Sequence, residues 1–343
     1  MTENSEPLVS VITPLYNTEK YLAECIESVV AQQYQNWENV IVDNRSTDRS
    51  GDIARSYAER DSRIRVHEND EFVSAIPNWN NAVRQMSPAA KYCKIVHADD
   101  WIFPRCLVAM VQVAEDHPSV GLVSSYRLNE AHVDLDGLPF PSGCSPGREI
   151  ARRTLLRQPL YLFGSPTSVL VRADLVRKRE PFYNEASIHA DSEVCLDLLQ
   201  ECDFGFAHEV LTYTRRHNEA MTSFLNRMQT HRSGKLICLK RYGPAFLDAN
   251  EFAVRMEQVG VSYHKFLSDA VFERCGKDFW DYHRKILAEN GITYSRFQVF
   301  VHTCLGAIER MARPRAVLRS LLKREDSPGQ EREDAKKMDS VTD

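Results

Sequence analysis

The sequence has no Cys-x-x-Cys pair, and its nine cysteines (Cys25, Cys93, Cys106, Cys144, Cys195, Cys202, Cys238, Cys275 and Cys304) are odd in number and scattered. That pattern speaks against a disulfide framework or a cysteine metal site and suits a reducing compartment, where free cysteine packs as a small hydrophobe. No apolar run reaches the ~20 residues that a membrane-spanning helix needs. Met1 to Pro7 is polar and acidic, without the basic and apolar regions of a signal peptide, so a cytoplasmic location is expected. A basic excess is also missing. The net charge of -5 argues against general affinity for nucleic acid, and any anionic partner must be bound locally. There is no internal repeat.

What is present is 343 residues, 43% of them apolar, enough for one large domain with a well-buried core and a smaller appendage. Val9 to Thr13 is a β-branched run ended by Pro14, after which Leu22, Cys25, Ile26, Val29 and Val30 recur at helical spacing, with Thr18 as a candidate N-cap. Val40–Val42 and Ile64–Val66 read as strands, each followed by a helical pattern, and Lys94-Ile95-Val96 runs into His97-Ala98-Asp99-Asp100. The β-α-β-α order predicts an α/β fold with a mostly parallel central sheet and helices on both faces. Asn129 to Arg148, rich in proline and glycine, reads as loop or hairpin. Strands are expected at Ser168–Val171 and Val210–Thr214, and a helix over Asp191–Leu199. We expect an α/β domain over 1–230, a C-terminal helical appendage over 231–323, and a charged tail over 324–343 that cannot bury enough surface to order itself.

In an open α/β sheet, ligands bind beyond the carboxyl ends of the strands. Those positions carry Pro14-Leu15-Tyr16-Asn17, Asp43-Asn44-Arg45-Ser46-Thr47-Asp48 and His97-Ala98-Asp99-Asp100, and a later helix start gives His189-Ala190-Asp191-Ser192-Glu193. Together with "RRHNEAMT" at 215–222, the segments "SVITPLYN", "VIVDNRSTD" and "HADDWI" resemble the successive motifs of glycosyltransferase family 2, which has the GT-A fold. The likeness runs over the first two-thirds of the chain in order and spacing, and an ordered set is far more specific than any one motif.

The resemblance implies an inverting transferase that uses a nucleotide-diphosphate sugar, with a UDP-sugar favoured, and Mg²⁺ or Mn²⁺. It places a base-binding role on Asp43, whose ionised carboxylate can accept from the ring N–H of a uracil-type base, with Tyr16 bordering the base and Pro14, Asn17, Ser46 and Asp48 around it. Asp43 and Ser46 could equally cap the following helix, and Asp48 could serve only the turn. By the same resemblance Asp99 bonds the ribose and Asp100 ligates the metal. Successive side chains at a strand end point opposite ways, which suits separate jobs. The fuller family pattern has an Asp where this chain has His97, leaving His97 a structural or ribose-adjacent role. Asp191 matches the family's catalytic acidic residue and would take the acceptor's proton as general base, with Glu193 as second choice. The alternative for Asp191 is a carboxylate favoured by the helix dipole. Arg216 would hold the diphosphate and His217 would add a metal ligand. Gly164 to Thr167 would shape the acceptor side, and Trp101 would line the acceptor pocket or pack in the core.

The expected partners are the donor and a glycan, lipid-linked saccharide or protein acceptor, with no nucleic acid. Residues 294–323 mix apolar side chains with Arg and Lys; they suit an anionic membrane surface, or packing on the transferase domain or on a second subunit of a homo-oligomer. Two other function classes compete. A nucleotidyltransferase would carry a glycine- and lysine-rich phosphate loop after the first strand, and "PLYNTEKY" does not supply one. A non-catalytic nucleotide-sugar-binding protein would not need Asp100 or Asp191, and both are present.

Overall fold

The computed structural model describes residues 6–135, 137–158, 161–215 and 227–312. It divides into two compact units, Met1–Arg255 and Met256–Asp343.

In the first unit, β1 (Val9–Leu15), β2 (Trp37–Asp43), β3 (Ile64–Glu68) and β4 (Tyr92–Ile95) are linked through α1 (Leu22–Val30), α2 (Ser50–Ala58) and α3 (Ala75–Arg84). Then follow β5 (Trp101–Ile102), α4 (Cys106–Asp116), β6 (Val120–Asn129), β7 (His132–Asp134), β8 (Cys144–Ser145) and α5 (Gly147–Leu155). A 3-10 turn at Pro166–Ser168 leads into β9 (Val169–Arg172), α6 (Ala173–Arg177), α7 (Ala190–Leu198), β10 (Asp203–Thr214) and α8 (His231–Phe246). The helix α9 spans Ala249–Phe272, and α10 (Lys277–Glu289) and α11 (Arg296–Ala312) belong to the second unit.

The strand order is β3-β2-β1-β4-β9-β6-β10-β5, with β7 and β8 attached at β6 and β10. All pairings among the first four are parallel, and β6 and β10 pair in parallel too. Antiparallel β9 lies between β4 and β6, and antiparallel β5 forms the edge. The sheet is therefore mostly parallel, as the β-α-β-α order predicts. Every residue of β1 is buried, as a strand covered by helices on both faces must be. The helix α1 buries Leu22, Cys25, Ile26 and Val29, the 3.6-residue stripe visible in the sequence.

The register positions the site. Leu15 pairs with Asp43 and Ile12 with Ile95, so the ends of β1, β2 and β4 open on one edge of the sheet. The chain steps from β1 to β2 on one side and places β4 on the other, which makes this edge a topological switch point. Two local expectations differ. Thr18 makes no side-chain cap: its hydroxyl is buried without a partner, and its carbonyl accepts from Tyr21 and Leu22. Between Asn129 and Arg148, by contrast, the expected hairpin is present, β7 folding back antiparallel on β6 with Asn129 opposite His132, before β8 and the start of α5. The sequence places a boundary near residue 230, whereas α8 packs with α5 and α7 in the first unit.

In the second unit, Tyr263 Oη and His283 Nδ1 meet at 2.6 Å and the His283 ring lies 4.2 Å from Phe279. This buried cluster, with Leu287, ties α9 to α10. No helix among the described residues is long and apolar enough to cross a membrane.

Candidate active site

The end of β2 forms the first part of the site. Asp43, 4% exposed, accepts from the Ser46 N–H at 2.9 Å, so it closes its own turn while keeping lone pairs for a ligand. A Cβ on Gly51 would sit 2.8 Å from Asp43 Oδ2; glycine there lets α2 approach the carboxylate. Asn17, at φ 48°, accepts from the Thr47 N–H at 2.8 Å and donates its own N–H to Ser46 Oγ at 3.1 Å. These bonds clasp the turn after β1, which follows Pro14 at the end of β1, to the turn after β2. Asp48 accepts from Ser50 N at 2.9 Å and Glu19 N at 3.0 Å. Its pKa is lowered: burial opposes this, and the bonds from Ser50 and Glu19 outweigh it.

Tyr16 is exposed beside this turn and its ring lies 4.9 Å from Phe72. Phe72 was not legible as a site residue. It lies in a loop held by the buried side chain of Asn44, which donates to Val73 O at 2.7 Å and accepts from Val73 N at 3.0 Å and Asn69 Nδ2 at 2.9 Å. Asn69 also donates to Asn78 at 2.9 Å. Two exposed aromatic rings next to a buried carboxylate suit a planar base.

The second part follows β4. The strand ends at Ile95 and the chain turns, with Asp100 N–H donating to His97 O at 2.9 Å. The two aspartates thus differ because of a turn, not through strand alternation: Asp100 is buried and Asp99 is half-buried. Asp100 Oδ2 accepts from Thr167 Oγ1 at 2.7 Å and Oδ1 from Arg215 N at 3.0 Å. Burial, and then the charge of Asp99, push its pKa up to about 7 despite these bonds. The His97 ring packs edge-on against Trp79 at 4.8 Å. Burial lowers its pKa, and its Nε2 is buried without a hydrogen-bond partner. Trp101 stacks on Tyr213 at 4.8 Å.

A fully buried lysine, also not singled out by the sequence, braces this turn from below. Lys94 Nζ donates to the carbonyls of Thr167 and, at 3.2 Å, Val169. Thr167 Oγ1 in turn accepts from His97 N at 3.1 Å. One threonine therefore joins the acidic turn to the Pro166–Ser168 turn.

The third part is the start of α7. Asp191 lines a small cavity with Phe163, Gly164, Ser165, Pro166 and Tyr183. Its Oδ1 accepts from the Ser192 N–H at 2.7 Å, and burial raises its pKa to about 6. Glu193 does not line this cavity. It is 1% exposed; its Oε2 accepts from Arg241 Nη1 at 2.8 Å and Asn184 Nδ2 at 3.1 Å, which ties α7 to α8, while its buried Oε1 has no hydrogen-bond partner. The positive charge of Arg127, paired with Asp134 at 2.7 and 2.8 Å, favours the ionised forms of both Asp100 and Asp191. Arg127 escaped the sequence reading because nothing in its position on β6 marks it.

Arg215 donates through Nε to Asp99 O at 3.1 Å, pairs with Glu24 and lies 4.6 Å over the Tyr21 ring. Arg216 and His217 lie outside the described residues. Among the described residues no three His, Cys, Asp or Glu side chains are grouped to hold a metal. A hard cation needs only one or two protein carboxylates when phosphate oxygens and water complete its shell, and an ionised Asp100 beside Asp99 is an oxygen donor whose buried charge a cation would offset. The residues fit such an ion on those terms.

The acidic turn lies at the switch point of a mostly parallel sheet, the place where open α/β sheets bind ligands. Residues 10–179, just under half of the chain, match the model of Glycosyl transferase family 2. The chain is similar to the glycosyltransferase GlyG of Streptococcus pneumoniae, 34% identical over 121 residues, which are 35% of this chain and 39% of GlyG. It is also similar to the putative glycosyltransferase EpsE of Bacillus subtilis, 33% identical over 169 residues, 44% of this chain and 60% of EpsE. The chain thus spans less than two thirds of either relative. The fold is like that of S. aureus TarS in complex with UDP-GlcNAc, with TM-score 0.61 and 17% identity over 82% of this chain and 80% of that one. It is also like that of the mannosyltransferase PcManGT from Pyrobaculum calidifontis in complex with GDP-Man and Mn²⁺, with TM-score 0.55 and 16% identity over 92% and 84%.

Proposed function

We propose that the protein is an inverting glycosyltransferase that moves a sugar from a nucleoside-diphosphate donor, a UDP-sugar in the first instance, to a hydroxyl of a saccharide, lipid-linked saccharide or protein. The base lies against Asp43 beside the paired Tyr16 and Phe72 rings, Asp99 takes the ribose, and the diphosphate lies by Asp100. A Mg²⁺ or Mn²⁺ held by Asp100 would supply positive charge to the leaving diphosphate. Asp191 accepts the proton of the acceptor hydroxyl as that oxygen bonds the anomeric carbon. The bond from that carbon to the diphosphate oxygen breaks on the opposite face, and the diphosphate leaves with the electron pair. A pKa near 6 keeps Asp191 ionised at neutral pH yet basic enough to work as a general base.

The observation that carries this reading is the link through one turn: Thr167 holds Asp100, while Gly164, Ser165 and Pro166 wall the cavity on which Asp191 opens. Asp100 and the water-sized cavity at Asp191, about 10 Å³, thus share one four-residue stretch, which supports a reading in which leaving group and attacking hydroxyl lie on either side of it. The test is a panel of UDP- and GDP-sugars incubated with Mn²⁺ and saccharide acceptors, scored for release of the diphosphate. Acceptor-stimulated release that is lost in Asp191→Asn supports the proposal. Tight donor binding with no release from any donor would favour a non-catalytic binding protein.

A further inference from the structure

The helix α11 is oriented against the usual rule. A helix on a globular unit buries its apolar stripe and turns its polar side to water. Here Val299 is buried, and a Cβ on Gly306 would lie 3.5 Å from the Phe272 ring of α9, so the 299/306 side faces the unit. Phe297, Phe300, Leu305 and Ile308 are exposed by 75%, 64%, 53% and 57%. At ~100° per residue these four fall within an arc of roughly 140°, opposite the buried side. The larger apolar side chains are thus on the outside of the helix, in a contiguous stripe.

The sequence supplies the second observation. From Arg296 to Arg324 the chain has seven Arg or Lys (Arg296, Arg310, Arg313, Arg315, Arg319, Lys323 and Arg324) against the single acid Glu309, in a protein whose net charge is -5. An exposed apolar stripe with a local basic excess matches a surface that is apolar below and anionic above, the boundary of a membrane with acidic lipids. A second copy of the chain would bring the same positive charge to the contact and be repelled by it.

We propose that α11 docks the protein on anionic lipid, laying Phe297, Phe300, Leu305 and Ile308 into the acyl boundary, with the basic excess of the sequence over 296–324, most of it outside the described residues, as the source of a preference for anionic headgroups. This does not depend on the catalytic reading, and its test does not use activity. The full chain is sedimented with vesicles of phosphatidylcholine alone and with about one third phosphatidylglycerol, the anionic charge that polybasic segments sense. The expected result is binding to the anionic vesicles only, weakened by high salt, and reduced roughly tenfold or more in Phe297→Glu/Phe300→Glu, because both the apolar anchor and the charge match are lost. Arg313→Gln/Arg315→Gln, which leaves the stripe intact, should weaken binding to the anionic vesicles as well. Failure to bind either vesicle, or binding that the Phe297→Glu/Phe300→Glu variant leaves unchanged while its circular dichroism matches the parent, overturns the proposal. So does an oligomer, seen by light scattering, that the same variant converts to monomer without any vesicle binding in the parent.

Discussion

Asp100→Asn tests the electrostatics of the acidic turn without any assumption about substrate. Burial and Asp99 raise the Asp100 pKa from 3.8 to about 7. An acid whose folded pKa lies above its unfolded one binds its proton more tightly in the native state, so stability falls as pH rises between the two values and is level above the higher one. At ~1.36 kcal/mol per pH unit, ionising Asp100 in the fold costs about 4 kcal/mol in all, of which about 3 kcal/mol falls between pH 5 and pH 8. Asparagine never carries that charge. It does lose one acceptor oxygen, and because Thr167 and Arg215 donate to different oxygens, one donor is left poorly paired at a cost of ~1–3 kcal/mol at every pH. Urea unfolding in EDTA should therefore show the variant no more stable than the parent at pH 5, and gaining on it by about 3 kcal/mol by pH 8. Parallel pH profiles for the two proteins would refute the claim that Asp100 is a destabilised buried charge.

Asp191→Asn should leave UDP affinity within about twofold while lowering kcat by ~10²–10⁴, the usual contribution of a positioned base. In the parent, kcat at saturating donor and Mn²⁺, where Asp100 is held ionised, should fall below about pH 6 as Asp191 takes up its proton, and a flat profile to pH 5 would remove it from that role. Gly51→Ala pushes a methyl to within 2.8 Å of Asp43 Oδ2 and should raise the donor KM about tenfold with kcat little changed, since only base binding is disturbed. An unchanged KM would mean that Asp43 does not touch the donor. Lys94→Met leaves the carbonyls of Thr167 and Val169 without their buried donor and should cost ~1–3 kcal/mol in urea unfolding.

Much of the sheet could be read from the chain because its strands are apolar on both faces and its helices are striped, as β1 and α1 illustrate. Asp43, Asp99, Asp100 and Asp191 could be singled out because each follows a strand or opens a helix, where a carboxylate has no reason to sit unless it caps or binds. The choice between Asp191 and Glu193 could not be made from spacing. What bears on it is long-range: Arg241, 48 residues away in sequence, pairs with Glu193, while Asp191 lines the cavity beside Gly164 to Pro166. Lys94 reads as an ordinary charge in an apolar strand, and only the fold of Thr167 and Val169 over it reveals a buried brace. Phe72 and Arg127 likewise acquire meaning from long-range packing, through Asn44 in one case and Asp134 in the other. Short β7 and β8 escape because two or three residues carry no period.

The most direct measurement is the anomalous diffraction of a crystal grown with UDP and Mn²⁺. The account predicts a manganese peak against the Asp100 carboxylate, with the uracil ring at Asp43 beside Tyr16 and Phe72. Nucleotide bound elsewhere on the protein, or manganese that avoids Asp100, would contradict it.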